Sequence, residues 1–426
     1  ASTMFPDGLA NSSGQVGRNY MRHMTGSVYA AFEKSVHMYR GTTMAGIIRD
    51  EAKNDPKRGF VGGYEMETLS IGIPFMAAFL NPGWVRVEAG EAGAVEAVLS
   101  ALPPGTSALV TVEAARAGEL AANFRGRVAA WQLGQRFEPS PAAAAALRRA
   151  AGAVRAADPG ARIVLPPVDL GVLAITLSPE RGRRGRRSRR ARRAVVTRTM
   201  TRAYGAAFQV CRGAFDVAAI RLEHTASSVP ERVAWLKALL AEQRAVPAGG
   251  IWATAVGGLD KRSFDGDEAS IVRLPEHREV AERWQARDVA EKVSLAYAGG
   301  VEKVFYGSVI SADAGDRMAL VGPRGIRPAG RALARLWERV GAFVTAERLT
   351  LPAGAAGVRF VLPDQKTVMV AWAEGTPLDV EVPAPGASKV SRLPDREEEG
   401  EPVPERMTFQ DGVVKVRLTR TCLLIE

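Results

Sequence analysis

The chain has 426 residues and a mass of 45.5 kDa, room for about three domains by length. Apolar residues make up 46% and charged residues 24%, which excludes the disordered, collagenous and disulfide-scaffold classes. Two cysteines, Cys211 and Cys422, cannot frame a structural zinc site. No apolar run reaches the roughly 18 residues a membrane span needs. The net charge of +11 raises the question of a nucleic-acid partner. Residues 181–212 hold twelve arginines and no acid, which leaves the remainder at a net of −1. A phosphate-binding face would spread Lys and Arg over several elements with aromatic residues among them, so nucleic acid is disfavoured.

The chain opens at Ala1 with no basic-then-apolar leader, which reads as a processed start or a piece of a longer chain. Four of the five asparagines and seven of the eleven methionines lie before residue 82. That shift places a boundary near Pro82-Gly83. From residue 84, short apolar runs alternate with helical stretches, the pattern of βαβ units and a parallel sheet. Strands are expected at 107–112, 128–133, 162–165, 172–177, 217–222, 250–255 and 303–308, with amphipathic helices at 142–157, 229–243 and 280–298. The spacing suits a (β/α)₈ barrel in which six or seven strands can be counted, so the barrel reads as incomplete. Arg181 to Arg193 places nine arginines in thirteen residues, with no apolar periodicity. Like charges at that density favour a solvated, mobile loop inserted at 181–212, with a polyanion-binding tail as the alternative. After a helix at 327–345 the period changes to two. Strands expected at 358–362, 367–372, 378–382, 413–418 and 422–425 describe a small antiparallel sandwich.

Residues 1–82 contain FPDGLANSSGQVGRNYMRHM, then VHMYRGTTMAGII and GGYEMETLSIGIPFMAAFLNPG. These stretches resemble the glucose-methanol-choline oxidoreductases and imply an α+β fragment of that fold. The resemblance puts Gly17, Asn19 and His23 beside a flavin, and Arg22 where many relatives carry Asp. A flavin enzyme of this kind also needs a G-x-G-x-x-G turn at a helix start. That motif is missing from the sequence, so no cofactor is expected, and FAD would apply only if the segment belonged to a complete oxidoreductase.

Residues 84–426 carry Ala130-Trp131-Gln132-Leu133-Gly134, Ile251-Trp252-Ala253-Thr254-Ala255-Val256-Gly257-Gly258 and Val304-Phe305-Tyr306. At the fourth, seventh and eighth strand positions these resemble the large clan of (β/α)₈-barrel glycoside hydrolases with a closing β-domain. The resemblance implies two carboxyl groups about 5 Å apart, one acting as acid/base and one as nucleophile. It places Gln135-Arg136 where the acid/base stands and Ala255 where the nucleophile stands. Alanine has no attacking atom, and arginine does not give up its proton at pH 7. The implied function is therefore a degenerate, carbohydrate-binding relative. The alternatives are an active glycosidase with relocated carboxylates, or a piece of an FAD-dependent sugar or alcohol oxidoreductase.

Glu138, just past the missing acid, and Glu223, at the end of a strand, are candidate replacement carboxylates. Asp260, Asp265 and Asp267 follow the seventh strand. Trp131, Trp252 and Tyr306 offer rings that could stack on a sugar face or fill the barrel interior. Asp169, at another strand end, could bind hydroxyls or cap a helix. No metal site is expected.

Overall fold

The computed structural model describes residues 44–50, 52–53, 55, 57, 66–69, 83–88, 91–102, 105–169, 186–223, 225–257, 278–307, 319–322, 325–393, 407–410 and 412–426. The chain divides into two compact units, Ala1–Ile73 and Pro74–Glu426. In the first, β1 (Met44–Ile48) pairs antiparallel with β2 (Met66–Leu69). Gly17, Asn19 and His23 lie outside the described residues, as do the strand expected at 172–177 and the acids Asp260, Asp265 and Asp267.

The second unit begins with β3 (Trp84–Glu88), α1 (Ala92–Ala101), β4 (Ser107–Thr111), α2 (Ala117–Asn123), β5 (Ala130–Gln132), α3 (Pro141–Ala157) and β6 (Arg162–Val164). It continues through α4 (Arg186–Cys211), β7 (Ala218–Leu222), α5 (Val229–Glu242), β8 (Ile251–Val256), α6 (Arg278–Ala298) and β9 (Lys303–Tyr306). Strands β3 to β6 form one parallel sheet and β7 to β9 another. Parallel bridges Val164–Val217 and Val168–Ile220 connect the two. The local causes are ordinary ones: in α3, Pro141 opens the helix and the Ser140 hydroxyl accepts the Ala143 N–H at 3.2 Å.

Side chains alternate between two environments along these strands, as a period of two requires. Val87, Val110, Trp131, Ile163, Ile220 and Ala253 join the main core shared with the helices. Trp84, Leu109, Ala130, Val164, Val217, Ala219, Trp252 and Phe305 form a separate inner cluster. The first and last strands of the run meet there through Trp84 and Phe305, whose ring centroids are 6.4 Å apart. Trp84 and Trp252 pack edge-on at 5.0 Å. Below this layer, the Lys303 ammonium lies 4.9 Å from the Trp84 ring centroid, a cation–π contact.

The arginine-rich segment departs from expectation. Residues 186–211 form one continuous helix rather than a loop. Arginine ranks among the better helix formers, and extending a helix is easy once a packed turn has nucleated it. Tyr204, Ala207, Phe208 and Cys211 supply that packed end, each at most 2% exposed. The inserted character is therefore confined to the residues ahead of this packed stretch.

After a short hairpin of β10 (Val321–Gly322) and β11 (Gly325–Ile326) and the helix α7 (Pro328–Val340), the chain becomes antiparallel. The strands are β12 (Thr345–Arg348), β13 (Ala355–Val361), β14 (Thr367–Ala373), β15 (Leu378–Pro383), β16 (Val390–Arg392), β17 (Met407–Gln410), β18 (Val413–Leu418) and β19 (Leu423–Ile425). They form sheets of order β12-β13-β14-β19-β16 and β15-β18-β17. Met369, Ala371, Val380, Val382, Val414, Val416 and Ile425 share one apolar cluster. Val370 and Trp372, on the opposite face of β14, join the main core. No helix among the described residues is long and apolar enough to cross a membrane.

Candidate functional site

One inward position beyond the apolar layer, the strand ends turn polar. Trp84 is followed two residues on by Arg86, Leu109 by Thr111, Ala130 by Gln132, Ala219 by Arg221 and Trp252 by Thr254. These groups sit at the C-terminal strand ends, where barrel proteins build their sites. Strand β8 reaches this level through a bulge: Ile220 faces Ala253 but Arg221 faces Ala255, so Thr254 is the extra residue. Bulges of this kind re-aim a side chain at the end of a strand.

Two of these groups are fully enclosed. Gln132 and Thr254 are both 0% exposed. The Gln132 Nε2 donates to the Gly134 carbonyl at 2.9 Å, while its Oε1 and the Thr254 Oγ1 have no hydrogen-bond partner among the described residues. The turn that returns the Gly134 carbonyl toward Gln132 uses a φ of 120° at Gly134, a conformation natural to glycine. Leaving an enclosed oxygen unpaired costs about 1–3 kcal/mol, a cost that a small hydrogen-bonding group such as a water removes.

Charged groups rim this layer. The Arg86 Nε donates to Thr111 Oγ1 at 3.3 Å, and its Nη2 donates to Glu88 Oε1 at 2.6 Å and to Gln135 Oε1 at 3.1 Å. The Arg221 Nη1 donates to both Glu223 carboxylate oxygens at 3.2 Å, and its Nη2 donates to the Gln135 carbonyl at 3.0 Å. Gln135 thus joins the two arginines, one through its side chain and one through its backbone. Burial holds the Arg86 guanidinium below its ordinary pKa, Glu88 opposes that shift and Arg221 adds to it. Arg221 Nε is a further buried donor without a partner among the described residues.

The expected site residues divide sharply. Glu223 belongs to the rim. Glu138 is exposed on the connection after β5, outside these contacts. Asp169 pairs with Arg136 at 3.0 Å. Ala255 is 8% exposed. Trp131 points outward into the main core and Trp252 inward into the apolar layer, each 0% exposed. Neither presents a ring face to a ligand: of the two roles expected for these rings, Trp252 takes the interior one, and Trp131 takes neither, packing against the helices instead. Tyr306 also faces the helices, and its hydroxyl accepts from Gln285 Nε2 at 2.9 Å.

Arg86, Glu88 and Thr111 were not anticipated as site residues, and Gln132, Arg221 and Thr254 were passed over within expected strands. The signal was present in Trp84-Val85-Arg86-Val87-Glu88, a strict alternation whose inward set runs from aromatic to charged.

No family model matches the chain, and no curated protein matches it significantly. Solved structures do. A family 39 glycoside hydrolase from Bacteroides cellulosilyticus superposes with a TM-score of 0.50 at 12% identity, covering 80% of this chain and 75% of that one. A family 30 xylanase C catalytic domain from Talaromyces cellulolyticus gives 0.46 at 11% identity over 80% and 86%. A family 51 arabinofuranosidase from Xanthomonas axonopodis gives 0.44 at 10% over 79% and 77%. The first of these shows a glycoside-hydrolase-like fold.

Proposed function

We propose that residues 84–426 form a glycoside-hydrolase-like protein that binds a carbohydrate at the strand ends without cleaving it. The carrying observation is the polar rim at the strand ends, where Gln135 joins Arg86 and Arg221, together with Gln132 Oε1 and Thr254 Oγ1, which have no partner among the described residues. Gln132 Oε1 can only accept, Arg221 Nε can only donate, and Thr254 Oγ1 can do either. Hydroxyls of a sugar seated against the rim, each both donor and acceptor, would meet these requirements through a bridging water.

The same geometry supports a reading without hydrolysis. Ala255 supplies no nucleophile, and Arg136 is ion-paired with Asp169. Of the two acids at the rim among the described residues, Glu88 is held by Arg86 and Glu223 by Arg221. An active glycosidase with relocated carboxylates is the second reading, and it draws on Glu223 standing at a strand tip. The same proposal divides the chain into an oxidoreductase-like fragment at 1–82, a barrel at 84–345 and a β-sandwich at 350–426, with no cofactor.

Calorimetric titration with xylo-, arabino- and gluco-oligosaccharides tests the proposal, run beside a panel of chromogenic aryl glycosides. Saturable binding, weakened at least about tenfold by Gln132→Leu, and no chromophore release are expected. Release abolished by Glu223→Gln would establish the second reading instead.

A further inference from the structure

We infer that the arginine-rich start of α4 is a docking arm for an acidic polysaccharide, standing on the same side of the barrel as the strand-end site. This rests on the carbohydrate reading above and adds the charge class of the polymer.

The placement comes from the register of α4 against α5. The Trp235 Nε1 donates to Thr201 Oγ1 at 3.1 Å, and Gly205 lies against Leu239 one turn further on. The helices therefore run parallel with an offset of 34 residues, so Val229, the first residue of α5, is level with residue 195. Residues 186–194 extend beyond the start of α5, by about 13 Å at 1.5 Å per residue. This overhang lies at the strand-tip end. Tyr204, further down the same helix, donates to the Phe137 and Asp169 carbonyls at 3.3 and 3.5 Å, both just past strand ends.

The overhang holds six arginines in nine residues, and no acid occurs between residues 181 and 212. Positions 186, 189, 190 and 193 follow the i, i+3, i+4, i+7 spacing and so share one helix face. The same face, continued down the helix, becomes the buried face at Tyr204, Ala207, Phe208 and Cys211. Ahead of the packed stretch, the sequence places arginines at the helix positions on this face. Such a stripe concentrates positive charge on one side of a body that is otherwise near neutral, and its complement is a linear polyanion. The run 186–194 has no aromatic residue on which bases could stack, and the adjoining site offers partners for hydroxyls. Both observations favour a carboxylated or sulfated glycan over nucleic acid.

The test compares the full chain with a variant carrying Arg186→Gln, Arg189→Gln, Arg190→Gln and Arg193→Gln. The probes are polygalacturonate, heparin and a DNA duplex of matched charge, titrated from 50 to 300 mM salt. The expected result is polygalacturonate or heparin binding that exceeds DNA binding and falls at least about tenfold in the variant, with the log–log salt slope reduced by about 3. Lysine at the same four positions should restore the slope, which separates charge from altered folding. Unchanged affinity and slope in the glutamine variant would overturn the arm, and preferential DNA binding would overturn the glycan assignment. A parallel titration with neutral xylo-oligosaccharides reads the strand-end site alone, so a failure of that site registers there and not in the arm's salt slope.

Discussion

Replacing Trp252 separates a core residue from a sugar platform. The indole is fully enclosed, 5.0 Å from the Trp84 ring and 5.8 Å from the Phe305 ring. Truncating a buried aromatic residue of this size costs about 3–5 kcal/mol, and edge-on aromatic contacts add about 0.5–1.5 kcal/mol each to simple burial. Trp252→Ala is therefore placed in the upper half of that range, a large share of a total stability of about 5–15 kcal/mol. Trp252→Phe should behave differently. It keeps a ring in the layer and removes the buried indole N–H, which has no partner among the described residues. Relief of that unpaired donor offsets part of the lost volume, so a net change within about 1.5 kcal/mol is expected. Urea denaturation followed by far-ultraviolet circular dichroism reads both variants, and titration of the folded fraction reads binding. Near-normal stability of Trp252→Ala combined with lost oligosaccharide binding would refute the interior assignment.

Thr254→Val should leave stability unchanged or raise it by about 1 kcal/mol, because it removes an enclosed unpaired hydroxyl, while weakening oligosaccharide binding. A stability loss above 2 kcal/mol would mean the hydroxyl is already satisfied. Gly134→Ala should destabilise by about 1–3 kcal/mol, since φ at this residue is 120°; an unchanged thermal midpoint would contradict this. Burial pushes the Glu291 carboxyl up to about 7 from 4.5, against the pull of Arg287 at 2.6 Å. The folded chain then holds this proton where the unfolded chain releases it. Its contribution is full below about pH 4.5 and is lost as pH rises through about 7. Thermal midpoints from pH 4 to 8 should show this slope flattened by Glu291→Gln, and an identical slope in that variant would count against the assignment.

The barrel rhythm was legible because each βα unit leaves a repeated local mark: a short apolar run, then a helix with one apolar stripe. Strand β3 is harder to see, because Arg86 and Glu88 interrupt its apolar residues although both stand at the rim of the candidate site. The reach of α4 was hidden for a related reason. Charge density argued for a loop, while the helix-forming tendency of arginine and the packed end at Phe208 decided the outcome. The choice between the roles left open for Trp131 and Trp252 turns on parity. A parallel strand buried on both faces shows no polar alternation, so Ala130-Trp131-Gln132 does not reveal which residue points inward. Only the register with neighbouring strands does. The alanine at position 255 is plain in the Ile251–Gly257 phrase, but the bulge that brings Thr254 beside it leaves no mark in one strand's sequence.

The central claim, binding without bond cleavage, is tested most directly by incubating the purified chain with an oligosaccharide it binds and following products by mass spectrometry alongside the calorimetric isotherm. The account predicts a saturable isotherm with intact oligosaccharide recovered and no new reducing ends. Reducing ends that increase in proportion to protein and vanish in the Glu223→Gln variant would contradict it.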